Sequence, residues 1–172
     1  MRLPIALVAV FAAGAAQAEV AVSHSPATAP ILGNVVRGTS ATTFSVDTSG
    51  TVTRTSGDAI RLSNASVSTP TVTITCGLLN LPNLCLLRQI RVTVQPSGTT
   101  GQVTISKLRV GSLSGATYAS GAPAESSSLS FDLNPLGLLG SATFKLGMDM
   151  LVPANTTTTI NDVSYTVTAT IL

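Results

Sequence analysis

The chain has 172 residues, with 9 Lys+Arg against 7 Asp+Glu and a charged fraction of only 9%. Cations so few and so scattered argue against nucleic-acid binding, which uses clustered Lys and Arg to displace counterions. Aromatics at 3% with no Trp argue against a transmembrane barrel, with its aromatic girdles, and against stacking platforms for sugars.

The first residues read as a leader. Met1-Arg2 gives a short positive start, an apolar run follows from Leu3, and Ala16-Gln17-Ala18 matches the small-x-small pattern cut by signal peptidase. The run falls short of the roughly 20 apolar residues that span a bilayer, so no transmembrane segment is expected in the mature chain. Residues 1–18 are thus expected to be a signal peptide cleaved between Ala18 and Glu19, and 19–172 a single domain. Export implies a periplasmic, cell-surface or extracellular location.

From there on the pattern has period two, and no segment has a convincing helical period. Short strand candidates lie at 19–23, 42–46, 51–55, 59–63 and 127–133. Val72 and Ile74 alternate with Thr71, Thr73 and Thr75. Ile90, Val92 and Val94 alternate with Arg91 and Thr93. Phe144, Leu146, Met148 and Met150 alternate with Thr143, Lys145 and Asp149. Tyr165, Val167, Ala169 and Ile171 alternate with Ser164, Thr166, Thr168 and Thr170. Each set places apolar side chains on one sheet face and hydroxyls or charges on the other. Turn residues separate the runs at Asp47-Thr48-Ser49-Gly50, at Ser56-Gly57-Asp58 and at Pro96-Ser97-Gly98, the last expected between two neighbouring strands. The fold class expected is all-β: an antiparallel two-sheet β-sandwich, immunoglobulin-like or pilin-like.

One strand changes phase. Val103 and Ile105 are apolar at odd positions and Leu108 and Val110 at even ones, so a β-bulge near Ser106-Lys107 is expected. That bulge would bring the run into register with Ile90, Val92 and Val94 on the strand before it.

Cys76 and Cys85 are the two cysteines, and in an oxidising compartment they are expected to form one disulfide. The small loop they close should stabilise modestly, on the order of 2–3 kcal/mol. Two Leu-rich stretches break the alternation, one at 78–87 around Pro82 and one at 133–139 around Pro135 and Gly137. They read as loops that cover an end of the sandwich; the sharper reading is an exposed patch that binds a neighbour.

No catalytic set emerges, and neither cofactor nor metal site is expected. The single histidine, His24, stands in Ser-His-Ser-Pro near the new N-terminus and reads as a mobile, solvated residue. Asp47, Asp58 and Asp162 sit beside turn residues and read as backbone caps. Arg88, Arg91, Lys107 and Arg109 would cluster if their strands pair, either as a solvated sheet face or as an anion site.

Three stretches carry a resemblance. Gly33-Asn34-Val35-Val36-Arg37-Gly38-Thr39-Ser40 leads into Phe44-Ser45-Val46-Asp47-Thr48-Ser49-Gly50 and then Thr51-Val52-Thr53-Arg54-Thr55, and Met150-Leu151-Val152-Pro153-Ala154-Asn155 precedes the last strand. Together they resemble a bacterial family of small secreted β-sandwich proteins of unknown function, similar at a distance to fimbrial subunits of the common-pilus and spore-coat-U type. The chain departs from that pattern at Leu32-Gly33, in the Thr run after Asn155, and in the Cys76–Cys85 loop. The resemblance implies a structural or adhesive surface protein. Its partners would be copies of itself or related surface subunits, with a periplasmic chaperone reading the last strand, which alternates up to Leu172 and on its own pattern reads as a core strand. It also implies an N-terminal donor strand, for which Val20 and Val22 are the candidates, although His24 and Pro26 end the alternation early. The alternative is a monomeric periplasmic or secreted binding module using the Leu-rich loops. A sandwich closed by its own N-terminal arm would favour that alternative.

The leader is tested by intact mass. Protein recovered from periplasm or medium is expected to begin at Glu19, and a mass that retains residues 1–18 would refute the assignment.

Overall fold

The computed structural model describes residues 20–77, 85, 87–99, 103–137, 140–156 and 163–172. The proposed leader, Glu19, Asp162 and most of the first Leu-rich stretch lie outside the described residues. Eleven strands are described, in the order β1 (Ala21–Ser25), β2 (Val35–Val36), β3 (Thr42–Val46), β4 (Val52–Ser56), β5 (Ile60–Arg61), β6 (Thr71–Thr75), β7 (Ile90–Thr99), β8 (Thr104–Ser114), β9 (Leu129–Leu133), β10 (Ser141–Val152) and β11 (Val163–Ile171). The pairings between these strands are antiparallel. Among the described residues no helix is long and apolar enough to cross a membrane.

β10 organises the larger sheet. Its first half pairs with β6 (Ser141↔Thr75 to Lys145↔Thr71) and its second half with β3 (Met148↔Val46 to Val152↔Thr42). Those two partners lie end to end along one edge, because β8 runs along the other from Thr143 to Leu151. β1 extends the sheet beyond β6, and β4 extends it beyond β3. A second sheet has the order β11-β7-β9, and β2 and β5 form a two-stranded ribbon.

The two larger sheets share one apolar core, an arrangement that fits a β-sandwich loosely. Even-numbered residues of β10 from Ala142 to Val152 face it and are at most 1% exposed. Ile90, Val92 and Val94 of β7 are fully buried opposite. Phe144 of β10 meets Phe131 of β9 edge to face at 5.6 Å, and Phe131 meets Tyr118 in the same way. Thr occupies many of the outward positions, where a β-branched hydroxyl side chain suits a wetted strand face.

The bulge is where the phase change puts it. The β8–β10 register steps from Asp149↔Lys107 to Met150↔Ile105, leaving Ser106 as the extra residue. Ile105 and Leu108 can then both turn inward. The partner strand, however, is not the one expected. β7 and β8 do not pair: β7 belongs to the smaller sheet and β8 to the larger. Nor do Pro96-Ser97-Gly98 form a turn between neighbours, since β7 continues through them to Thr99 alongside β11. The register shifts there, between Val163↔Thr99 and Tyr165↔Pro96. Such an irregularity tolerates a residue with no N–H to donate.

This crossover separates the basic residues that would cluster if β7 and β8 paired. Arg91 on β7 donates to both carboxylate oxygens of Asp132 on β9, at 2.9 and 3.0 Å. Arg109 on β8 lies on the outer face of the other sheet. Its side chain passes over Gly147, where a Cβ would come within 2.8 Å of the Arg109 Cγ. From there the guanidinium reaches the carboxylates of Glu125 (2.8 Å) and Asp149 (2.5 Å), the Ser45 hydroxyl (2.7 Å) and the Val46 carbonyl (3.1 Å). Burial works against the charge on Arg109, but the hydrogen bonds and charges of Glu125 and Asp149 outweigh it and raise its pKa.

The two arginines should therefore respond differently to mutation. Arg109→Met leaves the Asp149 carboxylate, 8% exposed, without its cation. A loss of about 3–5 kcal/mol is expected in urea denaturation, as for other broken buried pairs. Arg91→Met, on a half-exposed pair, should leave the midpoint nearly unchanged. Equal losses for the two variants would contradict this account.

Candidate functional site

The N-terminal segment is docked, not loose. β1 pairs with β6 over five residues, from Ala21↔Thr75 to Ser25↔Thr71. Of the donor-strand candidates, Val20 is buried in the core and Val22 packs against it. His24 is correspondingly not a solvated tail residue. Its ring lies 5.1 Å from that of Tyr165 on β11, and its Nδ1 is 3.0 Å from the Tyr165 hydroxyl. That hydroxyl also donates to the Pro26 carbonyl at 3.3 Å. Burial pushes the Tyr165 phenol up to about 12. β1 thereby bridges the edges of the two sheets.

The other residues singled out from sequence have structural roles where they are described. Cys76 and Cys85 form the disulfide, with Cα atoms 6.1 Å apart. Of the Leu-rich stretches, Leu133 is fully buried and Leu136 packs on the core, while Leu87 is exposed. Asp47 accepts from the backbone of Ser49 and Thr51 and from the Ser49 hydroxyl, the last chiefly holding its pKa low.

Asp58 does more than cap one turn. Its carboxylate accepts four hydrogen bonds, from the backbone N–H and the hydroxyl of both Thr39 and Ser40, at 2.6–2.9 Å. The hydroxyls of Thr39 and Ser40, followed by their N–H groups, hold its pKa far below the ordinary 3.8. In return the buried Thr42 hydroxyl accepts from the N–H groups of Asp58 and Ala59, at 3.1 and 2.9 Å, and donates to the Ser40 carbonyl. Gly57, at φ +79°, makes the approach possible, because a Cβ there would strike the backbone of Ala41 and Thr42. The chain entering β3 is thus tied to the chain leaving β4, and this tie sets where β5 lies.

What β5 positions is the candidate site. β2 and β5 pair as Val35↔Arg61 and Val36↔Ile60. Val35 turns into the core, so by alternation Val36, Ile60 and Leu62 turn outward. Ile60 is 57% and Leu62 65% exposed, and Ile31 nearby is 50% exposed. Two open cavities flank the ribbon. One, of about 520 Å³, lies between β4 and β5 and is lined by Phe44, Val52, Arg54, Ile60, Arg61 and Ser63. The other, of about 490 Å³, is lined by Ala29, Ile31, Leu32 and Val67 and shares Arg61 and Ser63 with the first.

Both arginines of the first cavity are anchored to backbone. Arg54 Nη1 donates to the Ala59 carbonyl at 3.1 Å, and Arg61 Nε donates to the Leu32 carbonyl at 2.7 Å. Among the described residues neither has a carboxylate partner, in contrast to Arg91 and Arg109. Among the described residues, too, no group of three or more His, Cys, Asp or Glu side chains converges to hold a metal ion. Sequence reasoning marked 59–63 as a strand but gave Arg54 and Arg61 no role. The available signal was Ile60-Arg61-Leu62, two large apolar residues straddling a cation in a segment bounded by Gly57 and Asn64.

Comparison with known proteins finds no matching family model, no matching curated protein and no matching solved structure.

The Asp58 tie has a pH signature. Its folded pKa is depressed, so its contribution is present above the ordinary value of 3.8 and is lost as pH falls through the lower folded value. Asp58→Asn is expected to melt several degrees lower than wild type at neutral pH. The gap should narrow as thermal scans are taken down toward about pH 2. A gap that is constant with pH would show that the charge on Asp58 is not what holds the corner.

Proposed function

We propose that this chain is an exported, non-catalytic protein that works by contact at the cell surface, built as a two-sheet sandwich of the pilin-like or immunoglobulin-like kind. A disulfide, a leader-like start and low charge support export. The resemblance to fimbrial subunits supports an adhesive or structural role.

Within that class, the closed binding unit is the better reading, and one observation carries it. The candidate donor strand already fills the edge of β6 in its own chain, with Val20 in the core and His24 against Tyr165. Donating it to a neighbour would expose that edge and those side chains. The surface available for contact is the β2–β5 ribbon with its flanking cavities. The second Leu-rich loop is less suited, since Leu133 and Leu136 are already engaged by the core. The polymer-forming alternative keeps the same arm but requires it to swap between copies.

Light scattering coupled to size exclusion separates the two. The mature protein is expected to run as a compact monomer, and a version lacking residues 19–30 to lose stability. Long polymers from the mature protein that vanish on trimming would instead return the donor-strand reading.

A further inference from the structure

We infer that the cavity between β4 and β5 binds a small organic anion with an apolar body, held at its head by Arg54 and Arg61. The inference rests on the reading of this protein as a closed binding unit and names the ligand class of its site.

Charge is the first argument. Cations are scarce in this chain, and Arg91 and Arg109 are neutralised by carboxylates. Among the described residues Arg54 and Arg61 have no carboxylate partner, as is true of Arg37, Arg88, Lys107 and Lys145, but these two line the same cavity. Each is oriented by one hydrogen bond to a backbone carbonyl, which satisfies one nitrogen and leaves the charge uncompensated. A guanidinium fixed in this way loses little freedom when it takes up an anion, and its planar fork matches a carboxylate.

Shape and polarity supply the second argument. The rest of the lining joins apolar Phe44, Val52, Ala59 and Ile60 to polar Ser63 and Asn64. About 520 Å³ lies within the usual range for small-molecule sites. A bare inorganic anion would leave the apolar wall wet, and a neutral hydrocarbon would leave both cations unpaired. A carboxylate on a short apolar body satisfies both. The Asp58 carboxylate, one residue before Ala59, does not compete for the arginines, because Thr39 and Ser40 occupy it.

The test uses octanoate as probe, with acetate as the head without the body and octanamide as the body without the charge. Amide spectra of the mature protein are expected to show saturable octanoate shifts at Val52, Ala59 and Ile60. Acetate and octanamide should bind at least tenfold more weakly. Arg54→Gln and Arg61→Gln should each weaken octanoate by roughly tenfold or more, the scale of one charged hydrogen bond. Arg61→Lys, which keeps the charge, should recover part of the loss and guards against a merely structural effect at the Leu32 carbonyl. Shifts that never saturate, or that survive the double Arg54→Gln/Arg61→Gln variant, would overturn the inference as adventitious apolar contact. Size exclusion on the same samples keeps the two ideas apart: polymers would refute the closed unit, whereas monomers without octanoate binding would refute only the ligand.

Discussion

The fold depends on a single strand being paired on both edges along most of its length. β10 carries β8 on one side and β6 and β3 in succession on the other, so no strand of the larger sheet is more than two places from it. Its inward face, from Ala142 through Phe144 and Met148 to Val152, is also the centre of the core. A fully buried Phe or Met contributes on the order of 1.5–3 kcal/mol, and β10 aligns several in one row. Because β6 and β3 share an edge, the chain must leave that edge between them. Residues 57–70 make that excursion, and the ribbon and its cavities are built from it.

With few charges available, the chain engages its described acids with specific donors. Asp58 takes four hydrogen bonds, Asp47 ties Ser49 and Thr51, and Asp149 and Glu125 hold Arg109. The consequences differ with burial. At the exposed corners the carboxylates organise the backbone, and their worth is set by hydrogen bonds to N–H groups that would otherwise turn to water. Arg109 and Asp149 are largely withdrawn from solvent, whereas Glu125 is half exposed, so the Arg109–Asp149 pair is costly to break even though its net gain over an apolar substitute is small. Gly147 is part of that device, since only a residue without a side chain lets the arginine lie across the strand.

Alternation made the strands legible and left their neighbours unspecified. The core-facing residues of β3, β6, β7, β10 and β11 follow from period two, and the Ser106 bulge follows from a phase change. Neither signal says which strand lies alongside. Val103 to Val110 fits β10 as well as it fits β7, because both offer an apolar row of the same spacing. Proximity in sequence favoured β7, and tertiary packing chose β10. Pro96 misled for a related reason: proline at an irregular edge of a ladder reads like proline in a turn. Once β7 and β8 parted, the basic cluster expected from them dissolved, and Arg91 and Arg109 each found its own acid. Glu125 is 16 residues from Arg109, and no local pattern connects them.

The groove was harder to see because its residues follow the rule for a buried strand while doing the opposite. Ile60 and Leu62, two apart, read as inward-facing, yet Val35 holds the inner side of the ribbon and turns them to solvent. Isolated exposed apolar residues are ordinary on any protein. What distinguishes Ile60 is its company: it lines a cavity whose two cations, Arg54 and Arg61, have no carboxylate partner among the described residues. The docked arm bears on the same point. Because β1 covers the edge of β6 within the chain, a different surface is left exposed that is both apolar and charged. That surface is the face of β5, and its position depends on Asp58.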